Sequence, residues 1–99
     1  MTTLPIRSHI LDYLSTVDDA NVSQVKSALD PEYGGERQFT WKSVYNHLMN
    51  LKENELLEEL GYEMIDGNLE TYYAINDEGR KLISKYVQKK RMSGGATLK

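Results

Sequence analysis

Ninety-nine residues, 39% of them hydrophobic and 27% charged, with a formal net charge of −3, describe one globular domain with one modest core. Cysteine is absent, which excludes disulfides and zinc–thiolate sites and fits a reducing cytosol. No apolar run approaches the roughly 20 residues that span a bilayer, and the opening MTTLPIRSHILDYL is interrupted by polar residues, unlike a signal peptide.

The charge is unevenly spread. Residues 1–49 hold four bases against six acids, residues 50–70 one against seven, and residues 71–99 seven against two. The large basic patch that is the usual electrostatic footprint of nucleic-acid binding is therefore missing, and any positive surface is small.

The first predicted helix covers residues 4–17, with Thr3 as its cap and Pro5 in its first turn. Ile6, Ile10, Leu11, Leu14 and Val17 share one face at three- and four-residue steps. Asp18-Asp19-Ala20 is a connector. A second helix follows over 22–29, where Asn21 and Gln24 have capping-box spacing, with Ser23 as the rival cap, and Val22, Val25 and Leu29 form the apolar stripe. DPEYGGERQ (30–38) reads as a loop.

Thr40 caps a third helix, 41–54. Phe39 and Val44 have the spacing of a hydrophobic staple, and Val44, Leu48 and Leu51 form the core stripe. At about 100° per residue, Lys42, Asn46, Met49 and Glu53 lie opposite that stripe, with Ser43 and Asn50 on its flank and Trp41 and Tyr45 near the edge of the buried face.

A hairpin comes next, with Leu60, Tyr62 and Met64 alternating on one strand and Leu69, Thr71, Tyr73 and Ile75 on the other. A turn on Asp66-Gly67 sets Glu63 against Glu70. A turn on Gly67-Asn68 pairs Tyr62 with Tyr73 and Leu60 with Ile75, and is preferred on cross-strand pairing. Asn76 caps a fourth helix with Asp77 and Glu78 in its first turn and Lys89, Lys90 and Arg91 in its last. Leu82, Ile83, Tyr86 and Val87 give this helix one apolar face.

Helix, helix, helix, hairpin, helix is the layout of an α+β winged helix-turn-helix. The domain is expected over residues 1–91 and a disordered tail over 92–99. Its core is expected from Ile10, Leu14, Val25, Leu29, Val44, Leu48, Leu51, Tyr73 and Ile75.

SVYNHLMNLKENELL (43–57) and YYAINDEGRKLI (72–83) resemble winged-helix transcriptional regulators of bacteria, archaea and their viruses, most nearly the PadR-like group and its small archaeal relatives. The first segment is similar to the family's recognition helix and the apolar pair after it. The second is similar to its second wing strand running into a polar-x-x-Gly-Arg/Lys helix start. Two positions depart from the pattern. Glu55 stands where the family usually has glycine at the end of the central helix, with Asn54 expected to supply the left-handed residue instead. The hairpin carries Glu63, Asp66 and Glu70 where the family's wing often carries Arg or Lys.

The resemblance implies a cytoplasmic homodimeric regulator of transcription that binds double-stranded DNA with the third helix in the major groove. Lys42, Ser43, Asn46, His47 and Asn50 are the candidate base or phosphate contacts. Tyr45 could place its hydroxyl on a phosphate or pack at the helix edge, and Arg37 and Gln38 could clamp the backbone. The bland alternative is a solvated helix face and an ordinary loop.

Leu82, Ile83, Tyr86 and Val87 are the candidate dimer interface, or else close the monomer's own core. Lys81, Lys85, Lys89, Lys90 and Arg91 form a basic strip or only the wet side of a helix. The alternative function is a protein-binding adaptor or antirepressor that uses the acidic wing. Two histidines on different helices, no Gly-rich phosphate loop and no HExxH motif point away from catalysis, from a metal and from any cofactor.

Overall fold

The computed structural model describes residues 5–93, with side chains described as far as 85. The elements in order are α1 (Ile6–Leu14), α2 (Val22–Tyr33), α3 (Trp41–Glu53), β1 (Leu57–Ile65), β2 (Asn68–Ile75) and α4 (Asp77–Ser93). This is the α+β winged helix-turn-helix that the patterning predicts. All nine expected core residues are buried, and Ile10, Leu14, Val25, Val44 and Leu48 have no measurable exposure. Phe39 and Leu57 join them.

The helix starts follow local chemistry. Asn21 accepts from the Gln24 amide while Gln24 accepts from the Asn21 amide, the reciprocal capping box. Thr40 and Ser43 do the same for α3. Phe39 and Val44, the two ends of the expected staple, are both buried in the core cluster.

Several boundaries differ from expectation. Thr3 lies outside the described residues, and α1 begins at Ile6 with Pro5 at its N-cap rather than in its first turn. The helix ends at Leu14, where Ser15 and Thr16 hydroxyls donate to the carbonyls of Asp12 and Tyr13 and compete with continued helix. α2 runs four residues further than the composition of 30–38 suggests, through Pro31 to Tyr33. Tyr33 holds that last turn down, packing on Phe39 at 5.6 Å and on His9, whose Nδ1 is 2.6 Å from its hydroxyl. The connector is not idle either. Ala20 exchanges both backbone hydrogen bonds with Tyr73 and adds a single rung to the far edge of β2.

The hairpin turns on Asp66-Gly67, not on Gly67-Asn68. Ile65 pairs with Asn68, Glu63 with Glu70 and Leu57 with Ile75. Asp66 and Gly67 both have positive φ, 50° and 81°, as a type I′ turn requires, and that turn matches the twist of its strands. The like-charge pair it creates is solvated and relieved, because the Tyr72 hydroxyl donates to Glu63 Oε2 at 2.9 Å. A bulge between Glu59 and Gly61 absorbs one residue. It reverses the faces of β1 beyond it. Tyr62 and Met64 thereby share a face with Leu69 and Thr71, while Glu63 shares the other with Glu70 and Tyr72.

The end of α3 is closed by Glu55, which takes the left-handed conformation (φ 64°), while Asn54 stays at φ −86°. The Glu55 amide donates to Lys52 and the Leu56 amide to Leu51, the paired bonds of a Schellman motif. Asn54 is committed elsewhere, its side chain donating to the Asn50 carbonyl. α4 starts against this same corner. Asn76 Oδ1 accepts from the Gly79 amide, its Nδ2 donates to the Glu55 carbonyl at 2.7 Å, and its backbone amide donates to the Leu56 carbonyl. A Cβ on Gly79 would lie 2.4 Å from the Leu56 carbonyl oxygen. α4 reaches Ser93, so Met92 and Ser93 are helical rather than tail; residues 94–99 lie outside the described residues.

This packing sets the response to substitution. Leu48→Ala lowers the unfolding free energy by about 2–5 kcal/mol, as for other fully buried leucines, measured by urea denaturation. Glu55→Gly raises it by about 0.5–1 kcal/mol by removing left-handed strain, whereas Gly79→Ala lowers it by about 1–3 kcal/mol. A Gly79→Ala variant as stable as the parent, as ordinary helix propensity would give, contradicts the close approach.

Candidate nucleic-acid interface

The outward side of α3 is the candidate site. Lys42 and Asn46 stand one turn apart, both exposed. Among the described residues neither side chain makes a hydrogen bond or an ion pair within the protein. Ser43 differs: its hydroxyl accepts from the Thr40 amide at 3.0 Å and donates to the Thr40 carbonyl at 2.9 Å, so the cap occupies it. Asn50 is half-buried and accepts from the Asn54 side chain at 3.2 Å. Met49, expected opposite the core stripe, instead packs partly against the core.

Tyr45 lies on the other flank. Its ring stacks on Trp41 at 5.6 Å and 6°, and the Trp41 indole N–H donates to Ser23 Oγ at 3.3 Å. Both rings remain exposed, Trp41 by 44%, more than its place near the edge of the buried face suggests.

The structure adds a residue that sequence spacing does not reveal. Arg7, on α1, donates from Nε to His47 Nδ1 at 3.1 Å across 40 residues of sequence. Nothing in the local pattern of α1 separates Arg7 from any other exposed helix charge, so only the tertiary packing finds it. Arg7, Gln38, Ser43, Asn46 and His47 rim one open cleft floored by Ile6 and Phe39, with Glu36 at its edge. Arg37 is exposed in the preceding loop, outside that lining. Burial and the neighbouring Arg7 cation both hold His47 below the ordinary histidine pKa, so near pH 7 the imidazole is neutral and its Nδ1 accepts the hydrogen bond from Arg7 Nε.

The wing is acidic on one face and apolar on the other. Lys52, the one base of residues 50–70, is paired with Glu59 at 2.6 Å. On α4, Ile83 is buried in the monomer's own core and Leu82 is 44% exposed. Tyr86 and Val87 lie outside the described side chains, as do those of Lys89, Lys90 and Arg91. Ile83 therefore closes the monomer's own core, the alternative the sequence left open, and Leu82 is exposed to solvent. Among the described residues no group of His, Cys, Asp and Glu is placed to hold a metal, and no helix is long and apolar enough to cross a membrane.

Solved structures share this fold, three of them described as regulators of transcription. A candidate transcriptional regulator from Thermoplasma acidophilum matches with a TM-score of 0.67 at 21% identity, over 84% of this chain and 75% of that one. A PadR-like transcriptional regulator from Bacillus cereus matches at 0.66 and 20% identity, over 85% and 79%. A transcriptional regulator from Clostridium thermocellum matches at 0.67 and 18% identity, over 85% and 80%. No protein-family model and no curated protein matches the chain.

The Arg7–His47 contact has a pH signature. Because the folded pKa of His47 is depressed, the folded state binds its proton less readily than the unfolded chain. That contribution to stability is complete above the unfolded value, about pH 6.5, and is lost as pH falls through that value towards the folded pKa. Arg7→Ala raises the His47 pKa towards its ordinary value, read by NMR titration of the imidazole. An unchanged titration would mean that burial alone sets it.

Proposed function

We propose that this chain is a transcriptional regulator that binds double-stranded DNA sequence-specifically, with α3 in the major groove, acting in the cytoplasm as a homodimer. The observation that carries the reading is the pair Lys42 and Asn46. On a winged-helix fold shared with regulators, they are polar, exposed and unengaged on the outward side of a helix capped at both ends. Asn46 is the base reader, since an amide can bond an adenine edge bidentately. Lys42, Arg37 and Gln38 contact phosphate and set the register. Arg7 extends that positive margin.

Ser43 and Tyr45 take smaller parts, because the cap and the Trp41 stack already hold them. His47 orients Arg7 more than it reads a base. Asn50 sits one turn beyond Asn46 and extends the polar row. A single recognition helix reads few base pairs, so two half-sites on a two-fold axis supply the specificity.

The acidic, apolar wing favours a second reading, in which the chain is an adaptor or antirepressor that binds protein. Its carboxylates repel phosphate. The two readings part in a duplex titration across ionic strength.

Lys42→Ala is expected to weaken binding to every duplex and to reduce the slope of log affinity against log salt by about one phosphate contact. Asn46→Ala is expected to relax preference at one base position, at about 1–3 kcal/mol. Neutralising Glu63 and Glu70 is expected to raise non-specific affinity. Fluorescence anisotropy with random and selected duplexes measures all three. Absence of salt-dependent affinity for any duplex at low ionic strength would overturn the DNA reading in favour of the protein-binding one.

A further inference from the structure

We propose that the outer edge of β1 is a docking site for an extended segment of a partner protein in which basic and apolar side chains alternate, and that this segment joins the wing as a third strand. The site does not depend on DNA binding by α3, and it gives the protein-binding reading above a defined place and ligand chemistry. β2 covers one side of β1, and among the described residues no strand or loop pairs with the other. A two-residue turn closes on a hydrogen-bonded pair, so the bonded pairs are Ile65–Asn68, Glu63–Glu70 and Gly61–Tyr72. The residues between them turn their backbone groups away from the facing strand. On β2 this is seen directly, because Tyr73 gives both its groups to Ala20. On β1 the outward groups belong to Tyr62 and Met64, whose side chains are 69% and 63% exposed. Free donors and acceptors along an exposed edge are what an added strand bonds to.

The two faces of the ribbon set what the added strand carries. Tyr62, Met64 and Leu69 make one face apolar. On the other, Glu63 and Glu70 are direct cross-strand partners, a like-charge pair that a cation beside Glu63 neutralises. On that same face Gly61 has no side chain, and a Cβ there would meet no atom within 4 Å. The gap is a shallow pocket over Tyr72, rimmed by Asp19 and Glu63, with the Tyr72 hydroxyl held by Glu63 at 2.9 Å. An aromatic ring between two carboxylates suits an ammonium or guanidinium group. The residues of an added strand opposite Gly61 and Glu63 are therefore basic, and those opposite Tyr62 and Met64 are apolar. Each face of the strand meets its own complement. A second copy's β1 is excluded, because it brings Glu58, Glu59 and Glu63 to the same edge. A phosphate backbone is repelled by the same carboxylates.

NMR titration of the full chain with short peptides of alternating valine and lysine tests this. The largest amide shifts are expected at Tyr62 and Met64, and the valine–lysine peptide is expected to bind at least about tenfold more tightly than a valine–glutamate counterpart. Glu63→Lys with Glu70→Lys reverses that order. N-methylation separates strand addition from a charge contact. Methyl groups on the valine backbone nitrogens, which face Tyr62 and Met64, abolish binding, whereas methyl groups on the lysine backbone nitrogens, which face away, leave it within about threefold. Both glutamates are outside the core, and the dispersion of the same spectra verifies that the variant folds. Absence of binding through the millimolar range, equal binding of the two peptides, shifts centred elsewhere, or the same loss from methylation at either set of nitrogens overturns the proposal. The duplex titration decides the DNA reading separately.

Discussion

The corner where α3 ends holds the rest of the structure in place. Glu55 turns left-handed, its carbonyl is taken by Asn76 Nδ2 and the Leu56 carbonyl by the Asn76 backbone amide, and Gly79 lies so close to Leu56 that no Cβ fits. Three elements meet there within a few residues of sequence separation on either side of the wing. The last turn of α3 fixes the direction of the outward helix face, β1 departs from it at Leu57, and α4 starts against it. Asn76 is thus both a helix cap and a clasp across the base of the hairpin. Without the clasp, the hairpin would be a two-stranded ribbon, which is marginal alone. The Ala20–Tyr73 rung gives it a second attachment on the other edge.

The elements legible in the sequence are those whose stabilisation is local or periodic. Apolar stripes at helical spacing, the Asn21 and Thr40 caps and the Asn76 start depend on residues within four positions of one another, and they stand where the pattern puts them. The departures share a different origin. The end of α2 depends on Tyr33 reaching His9 and Phe39, which composition around Pro31 and Gly34 hides. In the hairpin, the backbone of the turn decides the register against the better cross-strand pairing: two positive φ values at Asp66-Gly67 outweigh one solvated pair of glutamates that a tyrosine relieves. Glu55 is left-handed against its own propensity because the corner leaves that position no other backbone. At the site, the polar face of α3 is legible from angular spacing. The engagement of Ser43 with its cap and the tie from Arg7 to His47 are not, because one needs side-chain geometry and the other a contact across 40 residues.

Those ties bear on recognition. α3 is held at its start by the Thr40–Ser43 box, at its end by the Schellman bonds, and along one flank by Arg7 from α1. A helix fixed in this way presents Lys42 and Asn46 with little freedom of its axis, so ordering costs at a partner surface fall mainly on the two side chains. Ser43 and Asn50 are engaged at the two ends of the helix, whereas Lys42 and Asn46, which make no hydrogen bond or ion pair among the described residues, lie on its outward side, where the proposed reading needs them.

Under the proposed DNA-binding reading, the net charge of −3 has to be set against a polyanionic partner. Long-range attraction to DNA from the whole molecule is weak or negative, so encounter cannot rely on net charge. The proposed contacts from Lys42, Arg37 and Arg7 would act within about one Debye length, about 8 Å at physiological salt, and in that arrangement the acidic wing lies away from the phosphates rather than against them.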